Sequence, residues 1–245
     1  MNRPPETKAA PGSPGALERL EGRLALAWSP VKVAGLTLEL PEPADPAAYI
    51  QERLEPAAAG GDKLPYWTKL WPAALVLAQF AAGLPVAGGE PVLELGAGLG
   101  LPGLVAAARG QTVVQTDLDP DALDFCRAAA ERNGLGERVT VRALDWLAPP
   151  AELGRFGTIL GAEILYHPPL YPRLVELLAG LLQPQGSAYL SHQQRPFAIA
   201  FFDLARERFE LRRSQRALRA SGEEPTTVFL YALRPKGGGA SPDIS

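Results

Sequence analysis

The sequence predicts an α/β fold built on a doubly wound parallel sheet, preceded by an N-terminal extension. Three observations carry that expectation. Glu90 to Gly103 (EPVLELGAGLGLPG) runs from a short apolar strand through closely spaced glycines into an alanine-rich helix. Apolar strand-like runs then alternate with helical patterns to the end of the domain. Acidic residues stand at the ends of three of those runs, at Asp117, Asp145 and Glu163. A strand that turns through glycines into a helix brings backbone N–H groups close to a ligand, at the carboxyl edge of such a sheet.

Composition sets the bounds. A chain of 245 residues with 47% hydrophobic content can bury a full α/β core. A net charge of −3 gives no global attraction to nucleic acid or to an anionic membrane. The single cysteine, Cys126, excludes an internal disulfide and suits a reducing compartment; with only two histidines there is no credible zinc cluster. The N-terminus lacks the order of a signal peptide, and the longest apolar stretch, Ala73 to Ala87, is too short to span a bilayer. The expectation is a cytoplasmic protein.

Residues 1–15 read as a disordered tail rich in Pro, Gly and Ala, and residues 16–63 as an extension carrying a hairpin. Leu17 to Trp28 fits either a short helix or a strand. Val31 to Leu40 alternates as a hairpin with its bend at Gly35. Pro41 to Pro56 holds four prolines and reads as a connector with a turn of helix near Ala47 to Leu54. Then Leu64 to Pro72 (LPYWTKLWP) places three aromatic residues just before a helix that starts at Pro72. They either staple the extension to the domain or wall a cleft.

After Leu101 to Arg109, a helix closed by Gly110, Gln111 to Thr116 forms the second strand and ends in Asp117-Leu118-Asp119-Pro120. An acid at the tip of the strand beside a glycine loop can accept two ribose hydroxyls, which makes Asp117 the first candidate. Asp119 reads as the N-cap of the helix Asp121 to Asn133, because Pro120 follows it. Arg138 to Ala143 is a third strand ending in Leu144-Asp145-Trp146, where a carboxylate can accept an adenine amine and an aromatic can line the ring. Phe156 to Ile164 is a fourth, running into Glu163-Ile164-Leu165-Tyr166-His167. A glutamate inside an apolar strand end is costly unless it is paired or used. Beyond it lie a helix (Leu170 to Leu182), a fifth strand (Gly186 to Ser191), a further helix (Arg195 to Arg208) and a terminal strand pair (Phe209 to Arg213 with Thr226 to Leu233). Residues 236–245 read as a flexible tail. Six arginines between Arg206 and Arg219 read as a solvated face, with an acidic protein surface or RNA as alternative partners.

Two cofactor readings compete at the glycine loop. Gly98, Gly100 and Gly103 have G-x-G-x-x-G spacing and Asp117 follows Gly98 by 19 residues, as in a dinucleotide site. However, Glu94 lies two residues before Gly96, and an ionised glutamate there would repel a pyrophosphate. S-adenosylmethionine (SAM) has a sulfonium and an α-ammonium instead, for which a carboxylate is a suitable neighbour. Glu94 therefore favours SAM.

Taken in order, Leu70-Trp71-Pro72, VLELGAGLGLPG, TDLDP, Leu144-Asp145-Trp146 and Ala162-Glu163-Ile164-Leu165-Tyr166 resemble methyltransferase family 16, from Leu64 to about Arg234. PYWTKLWP is similar to bacterial relatives of the lysine methyltransferases that act on the electron-transfer flavoprotein β-subunit. The resemblance implies a Rossmann-like, class I methyltransferase domain over residues 64–235. Its seven strands would lie in the order 3-2-1-4-5-7-6, with the seventh antiparallel. It implies SAM as cofactor, with S-adenosylhomocysteine as product, and a protein lysine amine as methyl acceptor, with a small molecule as the alternative. Trp71, Glu94, Gly96, Gly98, Gly100, Asp117, Asp145, Trp146 and Ala162 are the expected cofactor residues. Glu163 and Tyr166 are the expected catalytic pair, where the family has Asp-x-x-Tyr and this chain has a glutamate one methylene longer. A non-catalytic SAM-binding protein and an NAD-dependent oxidoreductase remain as readings of other classes.

Overall fold

The structure is a computed structural model that describes residues 15–57, 65–86, 90–218, 225–238 and 244. The expected N-terminal tail up to residue 14, Leu64, Arg219 and most of the expected C-terminal tail lie outside the described residues.

The region left open between Leu17 and Trp28 holds both candidates. Helix α1 (Ala16–Glu21) is followed by strand β1 (Leu26–Val33), which pairs antiparallel with β2 (Leu36–Pro43) around Ala34 and Gly35. The connector after it is a helix of 12 residues, α2 (Pro46–Ala57), longer than the expected single turn. Asp45 explains the difference: its Oδ1 accepts the N–H of Ala48 at 2.9 Å, and Pro46 follows at the first helical position. An N-cap and a proline there start a helix that proline content alone argues against.

The main sheet has seven strands. β3 (Val92–Leu95) lies at its centre, with β4 (Val113–Asp117) and β5 (Val139–Ala143) on one side. On the other side are β6 (Phe156–Ala162), β7 (Leu182–Gln193), β9 (Thr226–Pro235) and, at the edge, β8 (Phe209–Leu218). In order along the chain this is 3-2-1-4-5-7-6. β3 to β7 are parallel, and β9 runs antiparallel to both β7 and β8. Helices α3 (Pro72–Ala81), α4 (Leu101–Ala108) and α5 (Pro120–Arg132) cover one face, with Leu77, Leu104 and Phe125 in its core. Helices α6 (Tyr171–Leu181) and α7 (Ala198–Ala205) cover the other with Leu174, Leu178 and Phe201. The chain leaves β3 toward β4 and returns to β6 on the opposite side. The carboxyl ends of β3 and β6 therefore border the crevice where such sheets bind ligands.

Three elements differ in extent from the sequence expectation. β7 begins at Leu182, directly after α6, four residues before Gly186. Helix α7 spans Ala198–Ala205 rather than Arg195 to Arg208. β8 continues to Leu218 because its ladder with β9 holds the arginine run extended as far as Thr226.

The extension is tied to α5. Glu131 accepts the N–H groups of Ala16 and Leu17, both at 2.9 Å, so a carboxylate of α5 caps the open end of α1. Asn133 bonds both the N–H and the carbonyl of Glu39, at 2.9 and 2.8 Å. Leu38 and Leu40 of the hairpin join the same core as Phe125.

Candidate active site

The glycine loop is a tight turn. Gly96, Gly98 and Gly100 have φ of 59°, 55° and 72°, a left-handed region that side chains rarely adopt. A Cβ on Gly96 would lie 2.9 Å from Cγ2 of Ile164, so the loop also needs its glycines for close approach to the end of β6. Glu94 lies beneath this turn and is 2% exposed. Its Oε2 accepts the N–H of Gly103 at 3.1 Å and the amide of Gln115 at 2.8 Å. Burial pushes its carboxyl up to about 8, against the lowering effect of those two bonds, and the neighbouring Asp117 raises it further.

Asp117 ends β4 with one oxygen accepting Gly98 N–H (3.0 Å) and the other Asp119 N–H (3.0 Å). Burial raises its carboxyl above the ordinary range, opposed by these backbone bonds. Asp119 is the expected N-cap: its Oδ1 accepts Asp121 N–H at 2.9 Å. Asp145 follows β5 on an exposed turn, with Oδ1 accepting Leu147 N–H at 2.8 Å, and Trp146 sits beside it, half-buried.

Both readings of the aromatic cluster hold, and Trp67, which also lines the cleft, joins them. Trp67 is the staple. Its indole meets Phe125 edge-on at 4.9 Å and Tyr49 at 6.0 Å, and its Nε1 donates to Asp119 at 2.9 Å. Trp71 and Tyr66 wall the cleft. Trp71 donates to the Tyr66 carbonyl at 2.8 Å, and Tyr66 packs against Tyr166 with centroids 5.8 Å apart.

Glu163 directly follows β6 with φ of 53°, a conformation costing a non-glycine residue about 1–2 kcal/mol. Such strain persists where the surroundings over-determine the backbone. Here Glu163 N–H donates to Ser191 (2.9 Å), its Oε1 accepts Gln193 N–H (2.6 Å) and its Oε2 accepts from Arg195 Nε (3.0 Å). The guanidinium of Arg195 in turn lies over Trp71, 5.8 Å from the ring centroid, and beside Phe197 at 6.0 Å. Tyr166 is 53% exposed, and its phenol is raised by partial burial and by Asp117 and Tyr66.

All eleven residues singled out from the sequence line one cleft of about 620 Å³ at the carboxyl edge of the sheet. That volume suits a cofactor-sized molecule. Sequence reasoning missed Arg53, Lys69, Leu118, Arg195 and Phe197, which line it too. Arg53 reaches in from α2, donating to Asp119 at 2.6 Å and to Asp121. Five exposed apolar side chains (Tyr66, Leu118, Leu147, Tyr166 and Phe197) ring the opening. His167 does not line the cleft. Cys126 is buried under the loop, its thiol raised by desolvation and donating to Gly98 O at 3.1 Å. Among the described residues no acidic, His and Cys cluster suited to a metal occurs, and no helix is long and apolar enough to cross a membrane.

The donor set fits SAM. The N–H of Gly103, in the first turn of α4, is bonded to the Glu94 carboxylate, which packs directly against that glycine. The same carboxylate, next to Asp117, gives the crevice an acidic lining that suits a cation.

Comparison with known proteins agrees. The family described as lysine methyltransferase, Methyltransf_16, matches residues 65–208, more than half of the chain. EEF1A lysine methyltransferase 3 of Mus musculus is 34% identical over 180 residues, 71% of this chain and 75% of that protein. Histone-arginine methyltransferase METTL23 of Mus musculus is 32% identical over 146 residues, 53% of this chain and 54% of that protein. The crystal structure of the glycopeptide N-methyltransferase MtfA complexed with SAM superposes with a TM-score of 0.51 at 19% identity. That match covers 66% of this chain and 94% of MtfA.

Proposed function

The chain belongs to the lysine methyltransferase family 16 of class I SAM-dependent enzymes, and on that premise we propose that it methylates the side-chain amine of a protein lysine. The observation that carries this reading is the position of Glu163. It is a strained acid at the end of β6, it lines the same cleft as the glycine loop, and the aromatic rings of Tyr66, Trp71 and Tyr166 stand around it.

Each residue has a task in this reading. Asp117 accepts the ribose hydroxyls, Asp145 the adenine amine, and Trp146 and Ala162 line the ring and the methyl-bearing end. Glu94 faces the α-ammonium. Gly96, Gly98 and Gly100 let the backbone approach the amino-acid end. Bound SAM supplies an electrophilic methyl on a sulfonium. A lysine must meet it with a free lone pair, yet its ordinary pKa is near 10.4. The ε-amine gives up its proton to solvent before it enters, and Glu163 and Tyr166 then orient it. Its nitrogen then forms the new N–C bond while the C–S bond breaks and that electron pair stays on sulfur. Two of the roughly four lone-pair sites on the Glu163 carboxylate are used by Gln193 and Arg195, which leaves sites for the amine. Trp71 walls the cleft and excludes water, so that the residues act mainly by positioning.

Cys126, free and buried, supports a cytoplasmic setting. The reading is tested by incubating the enzyme with methyl-tritiated SAM and a cell lysate, then hydrolysing the labelled protein. Label released as methyllysine supports it. Label in methylarginine, or confined to small molecules, overturns it.

A further inference from the structure

The sequence reads Phe209 to Arg213 as a strand and the arginines around it as a solvated face; the structure extends that strand, β8, to Leu218 and gives its outer end a location. Arg212, Arg213 and Arg216 are exposed on this edge strand and form no ion pair among the described residues. Arg212 and Arg216 share a face of β8 with Leu218, since strand side chains alternate. Leu218 packs against Ala73, Val76 and Val228, so this face meets the first turn of α3, two residues after Trp71. Lys69, just before Trp71, is also exposed without an ion pair, and its Nζ lies 5.0 Å from the Trp71 ring centroid. The register gives the same placement by a second route. Arg216 pairs with Val228 and Val228 with Gln193, whose N–H holds Glu163. Two strand spacings, about 10 Å, separate Arg216 from Gln193. In a chain of net charge −3, Lys69 and Arg216 therefore lie on one side of the acceptor mouth, and Arg212, which pairs with Ala232 opposite Tyr189, continues the line about 13 Å down β8.

We propose that this ridge, Lys69 with Arg216 and Arg212, docks an acidic segment of the methyl-accepting protein, so that the target lysine is flanked by acidic and apolar residues. The inference rests on the protein-lysine reading and names its substrate class. Acids next to a lysine meet the ridge while apolar neighbours cover the rings. Rim charges of this kind act on encounter and apparent affinity more than on the chemical step. A net charge of −3 gives no wider basic field to follow a phosphate backbone, which favours a short acidic protein segment over RNA.

The test uses three fluorescein-labelled probes: a lysine peptide flanked by Glu and Leu, the same peptide with Gln for Glu, and an oligouridylate. Anisotropy with S-adenosylhomocysteine present is read for the wild type, Arg212→Glu/Arg216→Glu and the milder Arg212→Gln/Arg216→Gln. The proposal expects the acidic peptide to bind roughly tenfold tighter than the neutral one, an advantage lost at high salt and in the charge-reversed variant. With tritiated SAM, KM for the acidic peptide rises similarly in that variant while kcat is retained. Equal binding of both peptides, indifference to both substitutions, or preference for the oligouridylate overturns it. Docking without label on lysine leaves the ridge standing and defeats the protein-lysine reading. Labelling of both peptides alike does the reverse.

Discussion

Glu94 Oε2 accepts the N–H of Gly103 across 3.1 Å, closing the N-terminal end of α4 with a carboxylate that is itself 2% exposed. One N–H of that helix end is thereby committed inside the protein. The acid that commits it stands at the wall of the cleft at the carboxyl edge of the sheet. Its carboxyl is held near 8 by burial, so it is largely protonated at neutral pH until a cation arrives.

That value sets a pH dependence. From 4.5, its ordinary value, up to about 8, the folded protein keeps a proton on Glu94 that the unfolded chain has released. Stability contributed by this group is present below 4.5 and is lost as the pH rises through 8. Glu94→Gln keeps an acceptor for Gly103 and removes the loss. Its melting temperature should exceed that of the wild type by on the order of 5 °C at pH 8, with the gap closing at pH 5, as differential scanning fluorimetry would record. The same variant should bind S-adenosylhomocysteine at least about tenfold more weakly, having no charge for the α-ammonium.

Arg53 joins two regions 66 residues apart, from α2 to Asp119, and also reaches Asp121, whose carboxylate accepts the Tyr49 hydroxyl at 2.7 Å. Arg53→Ala leaves Asp119, next to the loop that carries Asp117, without its guanidinium, whereas Asp121 keeps that of Arg23 at 2.9 Å. Stopped-flow binding should show faster release of S-adenosylhomocysteine, roughly fivefold, and Arg53→Lys should recover part of it. Unchanged release rates would confine Arg53 to holding the extension.

Glu163→Gln should lower methyl transfer by about a hundredfold while leaving S-adenosylhomocysteine affinity unchanged, a split read by single-turnover kinetics beside calorimetry. Glu163→Asp, which restores the acid of the related family motif, should keep more activity than the glutamine variant. Aspartate also tolerates the left-handed backbone better, so it should not destabilise the fold.

What could be read in the sequence was local. The turn from β3 into α4 was legible because glycines with positive φ sit at fixed offsets from an apolar strand, and Asp119 because Asp-Pro marks a helix start. The sheet order came only with the family resemblance that the motifs Leu70-Trp71-Pro72 to Tyr166 carry, and the structure has that order. Arg195 was hidden, because its partner Glu163 lies 32 residues away and only the pairing of β6 with β7 brings them within 3.0 Å. Arg53 carried no signal, lying among prolines that read as a connector. Trp67 and Trp71 looked equivalent in sequence. Both line the cleft, but only the first also packs against Phe125. The arginines of β8 read as solvent-facing, and they are; that they form a ladder with β9 depends on Val228 and Tyr231, more than ten residues further along.

The most direct test is calorimetric titration of the protein with S-adenosylhomocysteine and with NAD, in buffers of different ionisation enthalpy near pH 7, repeated on Asp117→Asn. The account predicts binding of S-adenosylhomocysteine alone, with net proton release as Glu94 ionises, and weaker binding in the variant. Binding of NAD, or S-adenosylhomocysteine binding that neither releases a proton nor responds to Asp117→Asn, would contradict it.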